Sequence, residues 1–68
     1  MMDETLRILV VDDERLAREK IVRHLRAFPR DFAIEEAKNG LDALVKIEEL
    51  RPHIVFLDIE MPGLSGFD

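Results

Sequence analysis

Leu6-Arg7-Ile8-Leu9-Val10-Val11-Asp12-Asp13-Glu14 decides the fold. From Ile8 to Val11 the run is apolar without alternation, which suits a strand buried on both faces of a parallel sheet covered by helices. It stops abruptly on two carboxylates. A second run, Ile54-Val55-Phe56-Leu57, stops on a third, Asp58. Each reads as a buried strand that delivers an acid to its own C-terminal edge.

Between these runs the period changes. Asp12-Asp13-Glu14 offers capping chemistry for a helix start. A helix over 14–28 then places Ala17, Ile21, Leu25 and Phe28 on one face, with Arg15, Arg18, Glu19, Arg23 and Arg26 on the rest. Pro29 ends it. Residues 32–37, Phe-Ala-Ile-Glu-Glu-Ala, alternate imperfectly, as an edge strand with one wetter face would. Asn39-Gly40 is a turn signal. A second helix over 40–51 puts Leu44, Ile47 and Leu50 on one face, and Arg51-Pro52 stops it. The third strand runs over 53–58, and 59–68 is a Pro/Gly loop.

The order is β-α-β-α-β with short connections, which forces parallel strands joined by right-handed crossovers. Composition ranks the first and third strands as interior and the second as an edge, so the expected order in space is 2-1-3. In an open α/β sheet, ligands bind beyond the carboxyl ends of the strands, where the winding reverses. Asp12, Asp13 and Asp58 all fall at that edge.

Three carboxylates in one small space are costly. Two unit charges about 4 Å apart repel by roughly 4 kcal/mol at an effective dielectric near 20. A hard divalent cation resolves the repulsion. Mg²⁺ accepts one or two carboxylates, a carbonyl and waters, and leaves positions for phosphate oxygens. A carboxylate beside such an ion can attack a phosphoryl group. The plain alternative is that Asp12 and Asp13 cap the first helix and Asp58 merely ends a strand. Capping needs one acid, though, and leaves Asp58 unexplained.

Composition narrows the class. The chain has 68 residues with no Cys, so it is one small domain without disulfides. The net charge of −5 disfavours direct binding of nucleic acid or an anionic membrane by this segment. The N-terminus lacks a basic region followed by a long apolar stretch, and the longest apolar run is far too short to span a membrane. A cytoplasmic protein is the expectation. His24 and His53 stand without a nearby second ligand and are assigned no metal. The basic first helix reads as a solvated face rather than a nucleic-acid patch.

The residues now in hand resemble the receiver domain of two-component response regulators. The matches are Ile8-Leu9-Val10-Val11-Asp12-Asp13-Glu14, Ala37-Lys38-Asn39-Gly40-Leu41-Asp42-Ala43-Leu44, and the stretch from Pro52 to Gly66 that contains Asp58-Ile59-Glu60-Met61-Pro62-Gly63. The resemblance spans essentially the whole chain. It implies a flavodoxin-like three-layer α/β fold, here the front half, ending after the third strand. It implies that Asp58 is the phosphoacceptor for a sensor histidine kinase. Mg²⁺ would be held by Asp12, Asp13, Asp58 and the backbone carbonyl of Glu60. Met61, Pro62 and Gly63 would shape the loop beneath the site, and Gly66 would sit where a side chain is unwelcome.

A receiver also needs a fourth strand ending in Ser or Thr and a fifth ending in Lys. Neither element occurs in the 68 residues, so the chain reads as a partial domain. Its third strand would then be exposed, and self-association through that strand is expected. Arg15-Leu16-Ala17-Arg18-Glu19-Lys20 is similar to the first helix of receivers joined to LytTR-type DNA-binding domains. DNA contact would come through such an output domain. Two other classes compete with a non-enzymatic phosphoacceptor: a Mg²⁺-dependent phosphohydrolase or nuclease, and an inactive fragment that only self-associates.

Overall fold

The computed structural model describes residues 5–57. In chain order the elements are β1 (Leu6–Val11), α1 (Arg15–Arg26), β2 (Phe32–Ala37), α2 (Gly40–Leu50) and β3 (Ile54–Leu57). The strands form one parallel sheet in the order β2-β1-β3. This is the flavodoxin-like arrangement, with the order the strand compositions predict.

β1 lies in the middle, and Ile8, Leu9, Val10 and Val11 are 0–2% exposed. Successive side chains of a strand point to opposite faces, so this run feeds two cores at once. Ile8 and Val10 pack with Leu25 of α1, joined by Ile21, Val22, Phe32 and Ile34. Leu9 and Val11 pack with Ala37 and with Ala43 of α2. The helices therefore cover opposite faces, which makes three layers. Along β2 the burial alternates, as expected of a strand with one wet face.

Three details depart from the sequence reading. First, α1 stops at Arg26, and Phe28 leaves the helix face to lie exposed, tilted against Phe32 with ring centroids 6.0 Å apart. Pro29 forbids the preceding residues a helical continuation, and the aromatic pair replaces the missing turn of packing. Second, α2 is turned by one residue from the expected face. Ala43 is the buried contact and Leu44 is 65% exposed. The small side chain lets the helix sit close to Leu9, Val11 and Ala37, where a leucine would hold it off. Third, no carboxylate caps α1. Its N-cap is Glu14, whose side chain makes no capping hydrogen bond.

Caps are well made at α2. Asn39 Oδ1 accepts from the Asp42 amide at 2.8 Å, and Asp42 Oδ2 accepts from the Lys38 amide at 3.1 Å. At the other end Arg51 adopts a left-handed conformation with φ of 49°, and its amide donates to the Ile47 carbonyl at 2.9 Å. The last turn of α2 has no basic residue of its own. Arg7 of β1 supplies one: Nε donates to the carbonyls of Leu50 and Arg51 at 2.9 and 3.1 Å, and an Nη donates to Arg51 at 2.9 Å. A cation at a helix C-terminus is favourable there.

β3 is paired on one side only among the described residues. Its four apolar residues are 39–45% exposed, the exposure anticipated for an uncovered third strand. The ladder to β1 opens on a reciprocal contact. The Arg7 amide donates to His53 Nδ1 at 3.0 Å, and the His53 amide donates to the Arg7 carbonyl at 2.8 Å. His53 is thus a structural acceptor.

The left-handed turn at Arg51 yields a stability prediction. Only glycine takes that conformation without a steric cost of about 1 kcal/mol, and the Arg51 groups used by neighbours are backbone atoms. Arg51→Gly is expected to raise the unfolding free energy by about 1 kcal/mol in urea denaturation. An unchanged or lower midpoint would show that the Arg51 side chain matters to the cap.

Candidate functional site

The sheet ends on acids because β1 ends on them. Asp12 follows the last residue of β1 and is buried, at 6% exposure. Its amide donates to the Ala37 carbonyl of β2 at 3.1 Å. Its carbonyl accepts from Arg18 Nη1 at 2.8 Å, and its Oδ1 accepts from the Glu14 amide at 2.9 Å. Only Oδ2 is without a hydrogen-bond partner among the described residues. No buried side-chain nitrogen or oxygen among the described residues is unsatisfied. Asp13 follows in a bend and is exposed.

Capping does not account for this pair. Among the described residues, the Asp12 carboxylate accepts one hydrogen bond, from the amide of Glu14, which precedes the helix. It forms a local turn that points the carboxylate and leaves the helix amides alone.

Asp58, Glu60, Met61, Pro62, Gly63 and Gly66 lie outside the described residues. What the structure does fix is the level at which β3 ends. Val11 is the register partner of Leu57, and neighbouring strands lie about 4.8 Å apart. The chain therefore leaves β1 one peptide before Asp12 and leaves β3 one peptide before Asp58, at the same edge. Among the described residues, no three His, Asp or Glu side chains gather closely enough to hold a metal. Asp12 and Asp13 form two-thirds of the predicted carboxylate set.

Sequence reasoning missed Arg18. It was assigned to the solvated face of α1, yet its side chain is 14% exposed and pairs with Glu36 Oε1 at 2.9 Å. A signal was present. Arg18, Ile21, Val22 and Leu25 fall at i, i+3, i+4 and i+7, so Arg18 continues the apolar stripe by one turn. On the opposite side of β2, Lys46 Nζ donates to the Glu36 carbonyl at 2.5 Å and lies 3.7 Å from Asp42 Oδ2.

The family model of the response regulator receiver domain matches residues 8–68. The chain belongs to that family. Receivers are the phosphoacceptor signalling modules of two-component systems. Similar proteins agree. An uncharacterized response regulatory protein of Vibrio cholerae is 43% identical over 63 residues, covering 93% of this chain and 27% of the relative. The positive alginate biosynthesis regulatory protein of Pseudomonas aeruginosa is 47% identical over 62 residues, 90% of this chain and 25% of the relative. A protein-glutamate methylesterase/protein-glutamine glutaminase of Geobacillus kaustophilus is 45% identical over 65 residues, 96% of this chain and 19% of the relative. This receiver sequence thus spans about a quarter or less of those proteins. No solved structure matches it significantly. Among the described residues, no helix is long and apolar enough to cross a membrane.

Proposed function

We propose that this receiver accepts a phosphoryl group on Asp58 from a sensor histidine kinase, with Mg²⁺ held by Asp12, Asp13, Asp58 and the backbone carbonyl of Glu60. The observation that supports this most is the state of Asp12. Its amide, its carbonyl and one carboxylate oxygen are engaged, and it follows Val11, the register partner of Leu57. An all-oxygen donor set with a buried, anchored carboxylate fits Mg²⁺. When bound, the ion offsets charge on the transferring oxygens.

Within that arrangement a carboxylate oxygen of Asp58 attacks the phosphorus of the kinase phosphohistidine. The new bond is O–P, the bond that breaks is N–P, and the imidazole leaves. Asp12 and Asp13 bring two negative charges to the site. Their repulsion toward an incoming phosphoryl group makes transfer depend on the cation. Membership of the receiver family favours this acceptor over a phosphohydrolase or nuclease that turns over a substrate. The chain is then no enzyme beyond its own phosphorylation and dephosphorylation. The setting is cytoplasmic, where such kinases present their phosphohistidine. DNA contact belongs to an attached LytTR-type output domain, on the strength of Arg15-Leu16-Ala17-Arg18-Glu19-Lys20.

Incubation with radiolabelled acetyl phosphate and Mg²⁺ is expected to give a label released by hydroxylamine, absent in Asp58→Asn and abolished by chelation. A label that persists in Asp58→Asn, or forms without a divalent ion, defeats the assignment.

For the 68-residue chain itself, the partner of β3 is a second copy. Ile54, Val55, Phe56 and Leu57 are part-exposed, and among the described residues β3 pairs only with β1. An apolar strand with an unpaired edge favours edge-to-edge pairing. Light scattering on residues 1–68 is expected to report a dimer or larger species, and a folded monomer at high concentration would refute this contact.

A further inference from the structure

Three elements meet on one side chain. Arg18 belongs to α1, donates through Nη1 to the Asp12 carbonyl at 2.8 Å, and donates through Nε to Glu36 of β2 at 2.9 Å. The guanidinium is planar, and its donors stand in a fixed fork. Two acceptors held by it are therefore held relative to each other. The Asp12 amide is already tied to the Ala37 carbonyl. Arg18 ties the carbonyl of the same residue, so Asp12 is anchored at both ends of its backbone. Its carboxylate then closes the turn on the Glu14 amide.

We propose that Arg18 is a positioning residue for the acid pair: clamped between the Asp12 carbonyl and the Glu36 carboxylate, it sets the β1–α1 turn and thereby the Mg²⁺ affinity of the receiver. The inference rests on the metal assignment made above. Without the Arg18 side chain the Asp12 carbonyl loses its partner, and the carboxylate is oriented by the Glu14 amide alone. Groups that orient metal-binding carboxylates are commonly worth about ten- to a hundredfold in metal affinity.

Charge and position predict opposite signs here. Arg18 is a cation near the site. If its charge dominated, removing it would relieve repulsion toward Mg²⁺ and tighten binding. If positioning dominates, removing it weakens binding. The ion pair with Glu36 already offsets much of the charge, which leaves position as the larger effect.

Mg²⁺ titration calorimetry on the natural full-length protein tests this, paired with amide hydrogen exchange of the metal-free form. Arg18→Ala is expected to weaken Mg²⁺ binding about tenfold. It should speed exchange at Asp13 and Glu14 while Leu9 to Val11 stay protected. Arg18→Lys keeps the charge but not the fork, and it is expected to weaken binding about threefold. Should Arg18→Ala not fold, Arg18→Lys decides alone. Unchanged or tighter binding in either folded variant overturns the clamp. If the unsubstituted protein binds no Mg²⁺, the metal assignment falls first and the clamp falls with it.

Discussion

Everything in this small domain depends on β1 being buried from four directions. β2 and β3 pair along its edges, and α1 and α2 cover its faces. Ile8 to Val11 can only be apolar in such a place. Burying a polar group unpaired at any of these positions costs of the order of several kcal/mol. The run must also end where the helices end, because beyond that level there is solvent to receive charge. Asp12 stands at that boundary. It is buried by its neighbours, so the limit of the core and the first carboxylate after β1 are the same residue.

Keeping a carboxylate at 6% exposure requires local compensation. The Glu14 amide gives one charged hydrogen bond, of a kind worth about 1.5–3 kcal/mol. The rest comes from geometry that holds the backbone still. Amide and carbonyl of Asp12 are committed to different elements, so the side chain starts from a fixed platform. A site built on a strand end in this way needs little ordering when a ligand arrives. Asp13 follows in the bend and is exposed. The two acids are adjacent in sequence but differ in setting: one is buried and anchored, the other exposed.

Strand order, layer arrangement and the location of the acid edge were legible in the sequence because each depends on a pattern of residue types. Ile8 to Val11 has no alternation and must be central. Phe32 to Ala37 alternates imperfectly and carries two glutamates, as an edge strand would. What could not be read was every contact whose partner is a backbone atom. Arg7 and Arg18 both look like solvated charges, yet Arg7 reaches the carbonyls of Leu50 and Arg51 and Arg18 that of Asp12. Carbonyls carry no sequence signature, so no pairing of charges could announce them. The rotation of α2 was hidden for a related reason. The larger residues Leu44 and Ile47 outweigh Ala43 in any hydrophobic pattern, while close packing against a sheet favours the smaller one.

The two arginines show why this protein uses guanidinium groups at these positions. Each must satisfy more than one acceptor: Arg7 two successive carbonyls at the end of α2, Arg18 the Asp12 carbonyl and the Glu36 carboxylate on separate elements. An ammonium is a compact, strongly hydrated charge with freely rotating donors, and it fixes no angle between its partners. Lys46, on the other side of β2, meets the Glu36 carbonyl and the Asp42 carboxylate, and both belong to the α2 end of the structure. It holds α2 to β2 without aiming anything. Arg18 joins α1, β2 and the end of β1, and the last of these carries the acid. Glu36 is where the two systems touch: its carboxylate receives Arg18 and its carbonyl receives Lys46. The edge strand with the wetter face is therefore the element through which both helices are referenced to the site. This gives Glu36, a residue that composition alone marks as solvent-facing, a structural reason to be an acid.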